Sequence, residues 1–221
     1  MDSQGTRGTL EELMASVIEG RADPACVALV RALGAGTEAE AVLQGALIPA
    51  MDEVGQRYEA GEYFLPEMMV AAQAMKACME ILRPALARRM VRAAGRVVLG
   101  TVQGDLHDIG KTLVGMMLEG AGFEVVDLGV DVSPRRFVEA AREADADLLG
   151  MSALISTTMP TMGVVMDELR RAGLREQLKV LVGGAPVTPT FAAQIGADGY
   201  APDAASASRR AREIVRRREG Q

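Results

Sequence analysis

The sequence predicts an α/β protein in two parts: an N-terminal four-helix bundle, then a flavodoxin-like (Rossmann-type) domain around a five-stranded parallel sheet. Three observations predict it. Up to about residue 90, apolar residues recur at helical spacing and no strand period appears. Beyond residue 95, short β-branched runs alternate five times with amphipathic helical stretches. Between them lies an Arg/Ala-rich connector, residues 84–95. The expected domains are 1–90 and 91–221, and a chain of 221 residues has room for two small domains.

Leu10, Leu13, Met14, Val17 and Ile18 define the first helix, with Thr9 as its expected N-cap and Glu12 three residues on. Asp23-Pro24 opens a second helix that runs to about Leu33, where Gly34 and Gly36 stop it. Thr37 with Glu40 reads as a capping box for a third, bent at Pro49 and continuing to Tyr58. Leu65-Pro66 starts a fourth, Met-rich helix carrying Met68, Met69, Met75 and Met79, a stripe read mainly as bundle core.

The second half alternates RVVLGTV, DIGKTLVGMMLEGAG, FEVVDLG, SPRRFVEAAREA, DLLGMSAL, TMGVVMDELRRAG, KVLVGG, TPTFAAQIG, DGYA and DAASASRRAREIVRRR. Buried-type strands with intervening helices mean a parallel sheet covered on both faces. Five units fit strand order 2-1-3-4-5. The arginines of the last helix (Arg209, Arg210, Arg212, Arg216, Arg217, Arg218) read as a solvated end complementing the helix dipole.

Composition narrows the function. The net charge of −6 disfavours nucleic acid and anionic membranes as partners. No apolar run is long enough to span a bilayer, and the polar start MDSQGTRG does not read as a signal peptide. Cys26 and Cys78, 52 positions apart and in no CxxC, fit reduced thiols in a cytoplasmic setting. With one histidine, His107, multi-imidazole zinc sites are excluded.

Ligands of open α/β sheets bind beyond the carboxyl ends of the strands. The first strand is followed by Gln103-Gly104-Asp105-Leu106-His107-Asp108-Ile109-Gly110-Lys111-Thr112, and the second by Gly129, Asp131 and Ser133. The third is followed by Ser152 to Thr158, the fourth by Gly183-Gly184 and the fifth by Tyr200 to Asp203. The single histidine, a hydroxyl cluster and a glycine pair thus converge on one edge. Gly104…Gly110-Lys111-Thr112 has one residue too many for a phosphate loop and holds acidic side chains that repel a triphosphate. A phospho-acceptor receiver is disfavoured because the third strand ends in Gly-Met-Ser. One imidazole suffices as a ligand when the metal arrives in a macrocycle that fills its equatorial positions. Asp105 is spaced to take the second ring N–H of His107, and Gly110 lets the backbone turn against a bulky ligand.

Asp105-Leu106-His107-Asp108-Ile109-Gly110 resembles the D-x-H-x-x-G motif of cobalamin-binding domains. The likeness extends over residues 104–129, residues 152–158 and Gly183-Gly184. In the helical half, Gly61-Glu62-Tyr63-Phe64-Leu65-Pro66-Glu67-Met68-Met69 resembles the cap of methionine synthase and of corrinoid proteins from methylamine- and methanol-type methyltransferase systems.

The resemblance implies the following roles. His107 replaces dimethylbenzimidazole as the lower cobalt ligand; Asp105 accepts its other N–H, and Thr158 closes the triad. Gly104, Leu106, Asp108, Ile109, Gly110 and Leu154 line the cofactor, and Ser152 and Ser156 hydrogen-bond the corrin rim and nucleotide tail. Gly183 and Gly184 admit that tail, Tyr200 borders its far end, and Tyr58 with Leu65 shields the upper face. It further implies a methyl carrier alternating between cob(I)alamin and methylcobalamin, served by a substrate-specific methyltransferase, an acceptor methyltransferase (folate or thiol) and a reductive activator. Such a chain is a subunit and not a complete catalyst, with residues 84–95 as the hinge of its cap. Two alternatives share the motif. A radical-isomerase subunit generally lacks the helical cap; a cobalamin-dependent sensor carries Trp, an extra His and a DNA-binding segment, and this chain has one His and no Trp. Simple cobalamin storage or delivery stays open.

Overall fold

The computed structural model describes residues 3–88 and 93–219. The helices before residue 89 and the elements from residue 96 onward build two compact units.

The helical unit contains α1 (Ser3–Ile18), α2 (Ala22–Gly34), α3 (Ala39–Val42), a π-helical turn (Leu43–Leu47), α4 (Ile48–Glu59) and α5 (Leu65–Arg88). α1 packs on α2, α4 and α5, and α5 also packs on α2 and α4. Leu13, Val17, Leu29, Leu47, Met51, Met68 and Met75 are buried between them. The methionine stripe divides as its spacing requires: Met68 and Met75 enter the core, whereas Met69 stays partly exposed.

Several helix ends depart from expectation. α1 begins six residues before Thr9, whose hydroxyl donates back to Gly5 O at 3.0 Å instead of capping. α2 starts with Ala22 after Arg21, so Asp23 lies in its first turn and no side chain caps it. Thr37 makes no capping box; Glu38 occupies the N-cap position but its side chain does not cap the helix, and the Thr37 hydroxyl is buried without a partner. The bend ahead of Pro49 is a π turn, which widens the helix just where the proline ring would meet the preceding carbonyl. Pro84 does not begin the connector: α5 continues through it to Arg88, carried by buried Leu82 and Leu86. Of the expected hinge, residues 89–92 lie outside the described residues.

The second unit contains β1 (Arg96–Thr101), α6 (Ile109–Gly120), β2 (Glu124–Asp127), α7 (Pro134–Glu143) and β3 (Leu148–Ser152). It continues with α8 (Thr161–Arg171), β4 (Lys179–Gly183), α9 (Pro189–Ile195), β5 (Gly199–Ala201) and α10 (Ala204–Glu219). All strand pairs are parallel, in the order β2-β1-β3-β4-β5, as the alternation predicted. Val98, Leu149, Val180, Phe137, Met162 and Val165 anchor a core on one face of the sheet. Phe137 lies flat enough on β1 that a Cβ at Gly100 would come within 2.7 Å of its ring, so only glycine fits beneath it. On α10, Arg210 pairs with Glu213 at 2.9 Å, and the side chains of Arg216, Arg217 and Arg218 lie outside the described residues.

Strand order fixes where chemistry belongs. β1 connects outward to β2 on one side while β3 pairs on its other side, so the chain reverses direction between β1 and β3. Thr101, Ser152 and Gly183 end three adjacent strands in register.

Candidate functional site

The site grows from the end of β1. Val102 bridges to Val132, and Gly104 (φ 85°) then turns the chain. A Cβ at Gly104 would sit 3.3 Å from Thr158 Cγ2, so the turn lies against the loop after β3. It directs Asp105 inward, with none of its surface exposed. A buried charge needs donors, and this carboxylate has five. Oδ1 accepts from His107 Nδ1 at 2.7 Å and from the His107 amide at 3.1 Å. Oδ2 accepts from the Leu154 amide at 2.7 Å, the Ile155 amide at 3.3 Å and the Thr158 hydroxyl at 2.9 Å. The donors on Oδ2 all come from the loop after β3, so one carboxylate ties together the two sides of the switch point.

Burial by itself would raise the Asp105 pKa. The hydrogen bonds from His107, Leu154 and Thr158 outweigh it and hold the group well below the ordinary carboxylate range. An ionised Oδ1 only accepts, so Nδ1 carries a proton, and in the neutral ring the lone pair falls on Nε2. The His107 side chain is 54% exposed, while its acidic partner is wholly buried. The Thr158 hydroxyl also lies 2.9 Å from Ile155 O, and its single proton favours the charged acceptor.

The sequence motif contains no sign of two further supports. Thr101, fully buried at the end of β1, donates from Oγ1 to the carbonyl of His107 at 2.9 Å. Asp131 braces the turn from the other side: its amide donates to Asp105 O at 3.0 Å, and its Oδ1 accepts from the Gly104 amide at 2.7 Å. It does so at φ 53°, a conformation Asp adopts more readily than most residues. In the sequence Asp131 is marked only by its place after β2, and Thr101 by nothing. A strand residue bonded to the backbone of a loop leaves no pattern in the sequence.

Leu106 and Ile109 are 72% and 67% exposed beside the imidazole, and Leu154 and Ile155 are also exposed on the facing loop. Four large apolar side chains are thus held in water on the two loops that meet at Asp105, an apolar rim at the sheet edge. Gly110, in the first turn of α6, has no neighbouring atom within 4 Å of the position its Cβ would take, so the fold itself does not require glycine there. Asp108 accepts from the Thr112 amide at 2.7 Å and so opens α6. Lys111, the residue that made the segment look like a phosphate loop, turns its buried ammonium to Asp127.

The other expected contacts have mixed surroundings. Ser152 accepts the Val102 amide through its backbone at 3.0 Å, and Ser156 is exposed in the loop after β3. A Cβ at Gly184 would lie 1.9 Å from Ala153 O, and one at Gly183 2.7 Å from Ala201 O. Strand packing alone therefore demands both glycines. Tyr200 packs partly buried against the core. In the helical unit Tyr58 is half-buried near the end of α4, and Leu65 is partly exposed at the start of α5 beside exposed Phe64.

These features suit a metal that brings its own equatorial ligands. Among the described residues no group of three or more His, Cys, Asp or Glu side chains is placed to hold a metal ion. The site offers one oriented imidazole lone pair inside an apolar rim, as an axial ligand beneath a macrocycle requires.

Fold and site together define a cobalamin-binding protein with a helical unit. Family models described as B12 binding domains match residues 95–209 and residues 9–83. The chain belongs to this B12-binding family, and cobalamin is its cofactor. It is 44% identical to dimethylamine corrinoid protein 1 of Methanosarcina acetivorans, over 93% of this chain and 97% of that one. Among solved structures it resembles a cobalamin-binding protein from Desulfitobacterium hafniense, with TM-score 0.79 and 31% identity over 93% of this chain and 98% of the other. It also resembles a chain of the methanol:cobalamin methyltransferase complex MtaBC from Methanosarcina barkeri, with TM-score 0.83 and 30% identity over 95% and 80% of the two chains. Among the described residues no helix is long and apolar enough to cross a membrane.

Proposed function

We propose that the chain is a corrinoid methyl carrier that binds cobalamin base-off, with His107 as lower ligand. The observation that carries this reading is the Asp105–His107–Thr158 relay, which orients one imidazole at the strand edge, where among the described residues no group of three or more His, Cys, Asp or Glu side chains is placed to hold a metal ion. Bound cobalamin supplies a nucleophilic cobalt that can take up and release a methyl group.

The protein's residues do the rest. His107 would hold the cobalt through Nε2, and Asp105, bonded to Nδ1, would orient the ring for it. Leu106, Ile109, Leu154 and Ile155 keep water from the lower face. In this reading Gly104, Asp108, Gly110, Ser152 and Ser156 complete the lower contact surface, and Gly183, Gly184 and Tyr200 border the nucleotide tail. Residues 1–90 act as a cap with Tyr58 and Leu65 toward the upper face, and residues 91–221 hold the cofactor. The exposed Phe64, Leu65 and Met69 support this, because such side chains need an apolar partner.

In this reading the donor is presented by a partner methyltransferase. The dimethylamine corrinoid relatives support a methylamine as donor, and the MtaBC likeness supports direct docking of that partner. A second methyltransferase, acting on a folate or thiol, takes the methyl group, and a reductive activator restores the carrier. The test is to load the chain with hydroxocobalamin, reduce it, and add methylamines with candidate methyltransferases. Dimethylamine-dependent methylation that His107→Ala slows more than tenfold is expected. Equal activity in His107→Ala would overturn the role of the imidazole, and no methylation with any methylamine would overturn the choice of donor.

A further inference from the structure

We propose that Lys111 and Asp127 are positioning residues for His107: their ion pair closes a circuit of bonds that holds the imidazole where it can grip the metal. The inference deepens the cofactor reading and rests on it. Lys111, which gave its segment the likeness to a phosphate loop, sits in the first turn of α6, four residues past His107. Its side chain is 3% exposed, and its ammonium donates to Asp127 Oδ2 at the end of β2. Asp127 Oδ1 accepts from the Gly129 amide at 2.9 Å, and the Gly129 carbonyl accepts from the Thr101 amide at 3.0 Å. Thr101 then reaches the His107 carbonyl through its hydroxyl at 2.9 Å. The circuit runs from His107 along the chain to Lys111 and back to His107 through the ends of β2 and β1.

Stability alone is a poor account of this pair. The buried ammonium gives up its hydration, while Asp127, whose side chain is 41% exposed, offers it a charge that solvent screens. A methionine at position 111 keeps most of the stem and strands no charge, so the fold itself gains little from lysine. What lysine adds is direction. The Gly129 amide fixes the Asp127 carboxylate, and the carboxylate gives the ammonium a set target, so the first turn of α6 is registered against β2 instead of merely packed on the sheet. Asp105 sets the ring of His107, and Thr101 and Lys111 hold the two ends of the short backbone segment that carries it. A small slip of that turn leaves the core intact and still takes the ring out of line for an axial bond, because a ligand is only as well placed as the groups behind it.

The test uses the full chain labelled with ¹⁵N-histidine, saturated with cobalamin and reduced to the cobalt(II) state. Electron paramagnetic resonance gives the ratio of histidine-bound to histidine-free cobalt, and thermal unfolding is followed on the unloaded chain. Lys111→Met should hold the unfolding temperature and lower that ratio about tenfold, the loss expected when a residue that orients a ligand is removed. Asp127→Asn, a change at an exposed side chain, should lower the ratio as well. Leu169→Ala opens a cavity in the core near the end of α8; it should lower the unfolding temperature and leave the ratio unchanged. If the wild type shows the histidine nitrogen and Lys111→Met and Asp127→Asn keep the full ratio, or Leu169→Ala loses it equally, the proposal is overturned and the cofactor reading stands. A wild-type chain with no histidine nitrogen on cobalt overturns that reading and this proposal with it.

Discussion

Thr101 and His107 are joined across the turn that ends β1: the buried Thr101 hydroxyl donates to the His107 carbonyl at 2.9 Å. Asp105 fixes the ring of His107, and Thr101 fixes the backbone from which that ring projects. Thr101→Val keeps the shape and removes the donor, leaving the carbonyl short of a partner. A loss of about 1 kcal/mol is expected in urea unfolding, with Thr101→Ser recovering most of it. Weaker cobalamin retention should accompany it, read by spectroscopic titration.

Asp105 couples stability to pH. Its folded carboxyl is held well below the unfolded value of about 3.9. The stability it contributes is therefore fully present above that value and is lost as pH falls toward the folded pKa. Asp105→Asn turns an amide nitrogen toward the Leu154, Ile155 and Thr158 donors or toward His107, and roughly 2–3 kcal/mol should be lost near neutral pH. The variant's unfolding free energy should also change less between pH ~5 and ~2 than that of the wild type. An unchanged acid slope would contradict the assignment.

Two glycines should respond in opposite ways. A Cβ at Gly184 collides with the Ala153 carbonyl, at a φ of 117° that L side chains rarely adopt, so Gly184→Ala should sharply lower the unfolding temperature. A Cβ at Gly110 meets no protein atom within 4 Å, and alanine favours a helix by roughly 0.5–1 kcal/mol over glycine. Gly110→Ala should therefore keep or raise the stability of the unloaded chain and still weaken cobalamin binding. Differential scanning calorimetry with a binding titration on both variants checks the pair.

Thr158 separates hydrogen bonding from packing. Thr158→Val removes the hydroxyl from Asp105 and should cost about 1–3 kcal/mol. Thr158→Ser should restore the bond and most of the stability, and equal losses in the two would assign Thr158 to packing alone.

What the sequence revealed follows the physics of each feature. Sheet order was legible because short apolar runs alternate with amphipathic helices, and five such units fit one doubly wound order. The Asp105–His107 pair was legible because its spacing is local. Thr9, Asp23 and Thr37 misled because a hydroxyl or carboxylate can cap a helix or serve elsewhere with the same sequence around it. Pro84 misled because buried Leu82 and Leu86 carry α5 past a residue that usually ends a helix. The bonds of Thr101 and Asp131 left no trace in the sequence because they depend on how β1 and β2 pair and where the following loops return. The glycine pair after β4 was noticed as a ligand signal, whereas its surroundings show that strand packing already requires it.

The bond between His107 and cobalt is tested most directly by electron paramagnetic resonance of the full chain loaded with cobalamin and reduced to the cobalt(II) state. Because the chain has one histidine, growth on ¹⁵N-histidine labels that imidazole and leaves the cofactor's own base as ¹⁴N. The axial nitrogen splitting should change from triplets to doublets on labelling. Triplets that persist in the labelled protein would mean that dimethylbenzimidazole still holds the metal, and the account would be wrong.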